Sequence, residues 1–355
     1  MSDEAGRLIK VLIVDDSPVV AENLRNMLST DAGIQIVGIV KNGEEAISFV
    51  HGQKPDVITM DVNMPRVNGI EATRTIMETC PLPIIIVSAQ LNSEAVATGL
   101  LAMEAGAVTV LETPPGPGHP NYTRLANQFV QTVRVMSEVK VVTKWTNTKM
   151  KRLESIANKA ELENIPSQIG IVAIGASIGG PPVLESILRK LPAGYPFPIV
   201  ICQHIAAGFT EGLASWLTAS SGFPVRIPKE QEMIGPGCAY IAPDGFQMGV
   251  NPGGRISLCV GNPENGVRPA VSYLFRSVAQ TYGARAVAVL LTGMGRDGAD
   301  ELKLLRDKGA ITIAQDAQTS TVHGMPGEAV KLNAAKHILS PDAIASLLNT
   351  LARKA

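Results

Sequence analysis

Two stretches of this chain alternate short, nearly unbroken Val/Ile/Leu runs with longer amphipathic segments, and that alternation limits the fold more than any other feature. A strand that is apolar on both faces must be covered on both faces, which is the condition of a parallel sheet with helices on either side. In the first stretch the runs Leu8–Val14, Ile34–Val40, Asp56–Met60, Ile84–Val87 and Ala107–Leu111 are separated by Val19–Leu28, Glu44–Val50, Gly69–Glu78 and Glu94–Glu104, and Tyr122–Val139 follows as a last helix. These units predict a doubly wound domain with five parallel strands. The pattern restarts at Ile169–Ile174 and continues through Phe197–Cys202, Ala286–Leu291 and Ala310–Ala314. Helices are expected there at Pro181–Leu191, Thr210–Ser220, Ala270–Tyr282 and Ala299–Lys308, with a closing helix at Pro341–Ala355. Within this second stretch, Val225–Val260 is rich in Gly and Pro with short alternating runs, which predicts an antiparallel excursion from a mostly parallel sheet.

Between the two patterns lies Val141–Pro166, polar and Lys-rich and without a strand pattern, so it reads as a connector. The resulting division is α/β throughout: a first domain over residues 1–138, a linker over 139–166 and a second domain over 167–355. Lys+Arg number 31 against 32 Asp+Glu, so the chain lacks the basic footprint of non-specific nucleic-acid binding. No apolar run approaches the roughly 20 residues that cross a bilayer, and the acidic start is unlike a signal peptide. The expectation is a cytoplasmic protein with no nucleic-acid partner and no direct membrane insertion. Cys80, Cys202, Cys238 and Cys259 are widely spaced without a Cys-x-x-Cys pair, and are expected to be reduced.

Chemistry gathers at strand ends. Asp15 and Asp16 follow the first strand in D-D-S, Asp61 follows the third in M-D-V-N-M-P, and Ser88 follows the fourth in V-S-A. The carboxyl ends of an open parallel sheet line one crevice. Three carboxylates there repel one another unless a hard cation sits among them, and Mg²⁺ held by carboxylates and phosphate oxygens suits the set. The second domain repeats the geometry with other side chains: Ser177 in G-A-S-I-G-G, His204 in C-Q-H-I and Asp297 in T-G-M-G-R-D-G. A serine hydroxyl becomes a nucleophile when an imidazole takes its proton, and the imidazole needs a buried carboxylate to fix its tautomer. Gly175, Gly179 and Gly180 permit a tight turn around the serine, whose following N–H groups point at a developing oxyanion.

Two other readings of these residues stay open. G-A-S-I-G also fits the G-x-S-x-G elbow of α/β-hydrolases, whose order would make His323 or His337 the base. Gly293-Met294-Gly295-Arg296-Asp297-Gly298 is a literal G-x-G-x-x-G after a strand, with Asp316 about 20 residues on, as in a dinucleotide-binding fold.

The first domain resembles the receiver domain of two-component response regulators, a flavodoxin-like fold, over about residues 8–135. The resemblance implies that Asp61 accepts a phosphoryl group from a sensor histidine kinase, that Asp15 and Asp16 help to hold Mg²⁺ at the metal site completed by Asp61, and that Ser88 contacts the phosphoryl oxygens. The family places Lys before a Pro at the end of the fifth strand, where this chain has Thr113 beside Glu112, and Val110 replaces the usual aromatic. Coupling from phosphate to surface is therefore expected to be weakened or rewired.

The second domain resembles the catalytic domain of chemotaxis protein-glutamate methylesterases, through G-A-S-I-G-G, Q-H-I, Y-I-A-P-D-G, R-P-A-V-S-Y-L-F-R-S-V-A, L-L-T-G-M-G-R-D-G-A and A-Q-D-A-Q-T-S-T-V-H-G-M-P-G. The resemblance implies that Ser177 is the nucleophile, His204 the general base and Asp297 its orienting acid. Ile178 and Met294 would support the oxyanion through backbone N–H groups. It also implies hydrolysis of γ-glutamyl methyl esters on chemoreceptor cytoplasmic domains, deamidation of some receptor glutamines, no cofactor for ester hydrolysis, and an esterase cleft gated by the unphosphorylated receiver. Departures from the pattern are Ile178 for Thr, Gln247 for His and Ser272 for Asp; the last two are expected to alter the substrate groove. A non-catalytic, phosphorylation-dependent binding protein is the remaining alternative.

Overall fold

The computed structural model describes residues 7–88, 93–139, 169–205 and 208–354, and the chain divides into two compact units, Met1–Lys144 and Trp145–Ala355. The stretch Val141–Pro166 that the sequence marks as a connector lies outside the described residues.

In the first unit the strands are β1 (Ile9–Val14), β2 (Ile34–Val40), β3 (Val57–Asp61), β4 (Ile84–Ser88) and β5 (Thr109–Glu112). They alternate with α1 (Pro18–Leu28), α2 (Gly43–Gly52), α3 (Gly69–Thr79), α4 (Ser93–Glu104) and α5 (Tyr122–Ser137). The sheet order is β2-β1-β3-β4-β5, parallel throughout. Strand residues such as Val11, Leu12, Ile13, Ile58, Ile85 and Ile86 are fully buried, which is why these runs carry no polar alternation. Helix starts follow from local chemistry: Ser17 accepts the Val20 N–H ahead of Pro18, and Asn42 and Asn68 cap α2 and α3 through the N–H groups of Glu45 and Glu71. The strand order turns back between β1 and β3, so the crevice opens where Asp15 and Asp61 emerge.

The second unit contains β6 (Ile171–Ala176), α6 (Gly180–Leu188), β7 (Ile199–Gln203), α7 (Thr210–Ser221), β8 (Val225–Arg226), β9 (Ala239–Ile241), β10 (Gln247–Asn251), β11 (Arg255–Cys259), α8 (Val271–Thr281), β12 (Ala286–Leu290), α9 (Ala299–Asp307), β13 (Ile311–Gln315), α10 (Met325–Lys331), β14 (His337–Leu339) and α11 (Pro341–Ala352). Seven strands form one parallel sheet in the order β14-β13-β12-β6-β7-β9-β8. The antiparallel part of Val225–Val260 is narrower than its composition suggests. β10 and β11 pair antiparallel as a separate ribbon, with one further antiparallel bridge from Met233 to Arg255, whereas β8 and β9 join the large sheet in parallel. Met248, Val250 and Ile256 of the ribbon pack with Leu274 and Val278 of α8, and Thr281 Oγ1 donates to Val250 O at 2.8 Å, so the ribbon braces that helix. Strand β14 and helix α10 carry no apolar periodicity of their own, and both form because a neighbouring strand or helix supplies the missing partner.

Candidate active site

Strand β6 is the switch strand of the second unit, with β12 on one side and β7 on the other. Ser177 follows β6 directly and His204 follows β7 directly; Ala176 is in register with Gln203, and the His204 N–H donates to Ala176 O at 2.9 Å. On the other side the Ser177 N–H donates to Thr292 O at 3.0 Å, just past β12. A Cβ added at Gly293 would stand 2.7 Å from the Ser177 Cβ, so the loop that carries Asp297 passes directly beside the serine. Register and strand order thus bring Ser177, His204 and the Gly293–Asp297 loop to one edge of the sheet.

Within that group His204 and Asp297 are joined: His204 Nε2 lies 2.9 Å from Asp297 Oδ2. This contact leaves Nδ1 as the ring's other proton-carrying position. Asp297 is only 3% exposed, and three further donors hold it: the Val271 N–H to Oδ2 at 2.6 Å, and the Ser272 N–H and Asn265 Nδ2 to Oδ1 at 3.1 and 2.8 Å. Two of these open α8, whose own N-cap residue, Ala270, makes no side-chain cap. The carboxylate therefore caps a helix that begins 26 residues before it, and the helix N-terminus favours its negative charge. Burial alone would raise the Asp297 pKa. The bond and charge of His204, with the donors from Ser272 and Asn265, outweigh burial and hold it at about 2 against an ordinary 3.8.

A depressed carboxyl pKa contributes stability above the unfolded value, and that contribution is lost as pH falls through the folded one. Between about pH 4 and pH 2 the second unit is expected to lose about 2 kcal/mol from this group. Denaturant titrations across that window check it, and an Asp297→Asn protein should lack this part of the slope.

The serine turn is held from both sides. Gly179 has φ +74°, and a Cβ there would come within 2.3 Å of Thr321 Oγ1. Thr292 Oγ1 donates to Ile178 O at 2.9 Å and accepts the Val322 N–H at 2.9 Å. Among the described residues, neither the Ile178 nor the Met294 N–H is taken by a protein acceptor, so both can serve a developing oxyanion.

The other candidate bases have different places. His323 Nδ1 lies 3.3 Å from Ser320 Oγ and the residue bridges Gly293 through its backbone, while the Asp297 carboxylate is bonded to His204 instead. His337 begins β14, the edge strand two places beyond β12. The glycines of G-M-G-R-D-G serve packing: Gly293 O receives the N–H groups of Gly324 and Met325, and a Cβ at Gly298 would meet Val271 at 2.4 Å. A dinucleotide reading has no support here.

Gln247 and Ser272, whose departures are expected to alter the substrate groove, are both buried among the bonds around Asp297. Gln247 is 1% exposed; its Oε1 accepts the Ala270 N–H at 2.8 Å and its Nε2 donates to Asn262 O at 3.2 Å. Ser272 Oγ accepts the Gly298 N–H at 3.0 Å and Asn265 Nδ2 at 3.2 Å. Both brace the segments around Asp297. Asn265 and Gln203 were not singled out in the sequence. Asn265, at φ +51°, sits in a backbone region that Asn tolerates better than most residues, and its N-G context marks a turn without revealing a carboxylate partner.

In the first unit Asp15, Asp16 and Asp61 each offer a ligand atom within 4.8 Å of the others. Burial pushes Asp15 up to about 6, with the charges of Asp61 and Asp16 adding and the Ser17 N–H partly offsetting. Asp61 is raised too, first by burial and then by Asp16, against the N–H groups of Val62 and Asn63. Such a crowded set suits a hard divalent cation. Ser88 ends β4, buried and in register with Glu112, and its carbonyl receives the Thr113 N–H at 2.9 Å. Thr113 thus stands at the pocket edge where the resembling family has Lys, with no ammonium to supply.

Fold and site together define a receiver-bearing α/β protein of the esterase type. Residues 172–348 match the family model described as CheB methylesterase, and residues 11–118 match the response regulator receiver domain. The chain is 51% identical over 349 residues to protein-glutamate methylesterase/protein-glutamine glutaminase 4 of Geobacter metallireducens, covering 97% of this chain and 99% of that protein. It is 50% identical over 344 residues to protein-glutamate methylesterase/protein-glutamine glutaminase of Nitrosospira multiformis, covering 97% of each. The crystal structure of the Thermotoga maritima CheB methylesterase catalytic domain covers 52% of this chain and 99% of its own, at 36% identity and TM-score 0.50. This chain belongs to the protein-glutamate methylesterase/protein-glutamine glutaminase family.

Proposed function

We propose that the second unit hydrolyses γ-glutamyl methyl esters on the cytoplasmic domains of chemoreceptors, giving glutamate and methanol, and deamidates selected receptor glutamines. The observation that carries the reading is the His204–Asp297 pair, anchored at a helix N-terminus on the strand edge that also bears Ser177. In this mechanism Ser177 Oγ attacks the ester carbonyl as its proton passes to His204, while the N–H groups of Ile178 and Met294 face the oxyanion. His204 returns the proton to the departing methoxide, and methanol leaves. Water then attacks the acyl-serine with His204 again as base, releasing glutamate and restoring the Ser177 hydroxyl. With a glutamine side chain the same proton leaves on ammonia. Asp297 stays ionised throughout and stabilises the imidazolium.

The first unit would receive a phosphoryl group on Asp61 from a sensor histidine kinase, with Asp15, Asp16 and Asp61 holding Mg²⁺, which neutralises phosphate charge when bound. Thr113 and Glu112 supply no counter-charge, so phosphorylation should raise ester hydrolysis by less than it would with an ammonium in place. The test is methanol release from a methylated receptor fragment, with and without Mg²⁺ and a small phosphodonor. Release that needs Ser177, and a phosphoryl adduct by intact mass that disappears in Asp61→Ala, are expected; no methanol under either condition would overturn the reading. Among the described residues no helix is long and apolar enough to cross a membrane.

A further inference from the structure

The sheet bond from the His204 N–H to Ala176 O is the last one between β6 and β7, and beyond it the two chains diverge toward α6 and α7. One side chain continues the ladder. Gln203, the final residue of β7 and 3% exposed, donates from Nε2 to Ser177 O at 2.8 Å and to His204 O at 2.7 Å. An amide NH₂ carries two hydrogens, so each carbonyl takes one, and a side chain with a single donor could not hold both. The cost is visible, because Gln203 Oε1 is buried without a partner. An apolar side chain of the same length would leave no such orphan, so the retained amide points to what its NH₂ group does. The surroundings make room for it: a Cβ at Gly180 would stand 2.1 Å from that oxygen, and the Gly180 N–H joins Gln203 in bonding Ser177 O, at 2.9 Å.

We infer that Gln203 is a positioning residue for ester hydrolysis, its amide cross-linking the backbone of Ser177 to that of His204 and so setting the approach of hydroxyl to imidazole. The inference rests on the proposed roles of those two residues. A misplacement of about 1 Å between reacting groups can cost about 100-fold.

The test uses the full chain with Gln203→Met, which keeps the length and removes both donors, and Gln203→Glu, which keeps the shape and offers one donor when protonated and none when ionised. Competent sites are counted from the end point of fluorophosphonate labelling, with Ser177→Ala as the unlabelled control, and methanol release is expressed per labelled site across pH. Gln203→Met is expected to lower kcat per site about 10- to 100-fold with KM changed less than about threefold. Gln203→Glu is expected to regain rate relative to wild type as pH falls, where its carboxyl takes up a proton. Wild-type rates per labelled site with an unchanged pH profile overturn the inference. So does a loss of activity in proportion to lost labelled sites in both variants, which assigns Gln203 to folding. Absence of labelling in the wild-type chain would instead sink the esterase reading itself.

Discussion

Ser177→Ala is expected to lower ester hydrolysis by about 10⁴-fold or more while the fold survives. Loss of the hydroxyl removes the covalent route altogether, and what remains is the polarised site acting on water. The backbone bonds that shape the turn, the Ser177 N–H to Thr292 O and the Gly180 N–H to Ser177 O, do not involve the side chain. Stability should therefore change by about 1 kcal/mol or less. Initial rates of methanol release, read beside a thermal melt, check both halves. A rate within tenfold of wild type in a folded Ser177→Ala protein would exclude Ser177 as the nucleophile.

Asp297→Asn is expected to cost about 10³- to 10⁴-fold in kcat, for a different reason. An asparagine in this place has one acceptor oxygen, and the N–H groups of Val271 and Ser272 compete for it. With that oxygen on the side of Ser272 and Asn265, which bond Oδ1, the amide NH₂ takes the Oδ2 place beside His204 Nε2 and makes it an acceptor, so the ring's proton sits on Nδ1, the nitrogen that should take the serine proton. The hydroxyl is intact but has no base. Removing this negative charge from the start of α8 should also destabilise by about 2 kcal/mol, the contribution the ionised carboxyl makes above pH 4. Slow fluorophosphonate labelling with a full end point, together with this stability loss in denaturant, would distinguish this tautomer effect from unfolding. Labelling at the wild-type rate would refute it.

Much of this arrangement was legible in the chain. Ser177, His204 and Asp297 were each readable because each directly follows or closely trails an apolar run, and strand ends in an open parallel sheet share one rim. Asp15, Asp16, Asp61 and Ser88 were readable for the same reason. The support around them was not. The bonds that Gln247 and Ser272 make to distant backbone left no mark in the sequence, and both brace the neighbourhood of Asp297. Asn265 sits 32 residues before the carboxylate it bonds, and Gln203 looks like one more strand residue until its amide meets two carbonyls. Within Val225–Val260, Gly and Pro announced a break in the pattern, but whether each short strand paired parallel or antiparallel depended on which edge the returning chain met.

The sequence by itself determined the two wound sheets and the edge at which chemistry collects, because hydrophobic periodicity is local and burial on both faces leaves few ways to satisfy it. Only the tertiary structure decided which donors hold the Asp297 carboxylate and which amide ties serine to histidine. Those are short-range, directional bonds between segments far apart in the chain, and a spacing along the sequence carries no record of a direction in space.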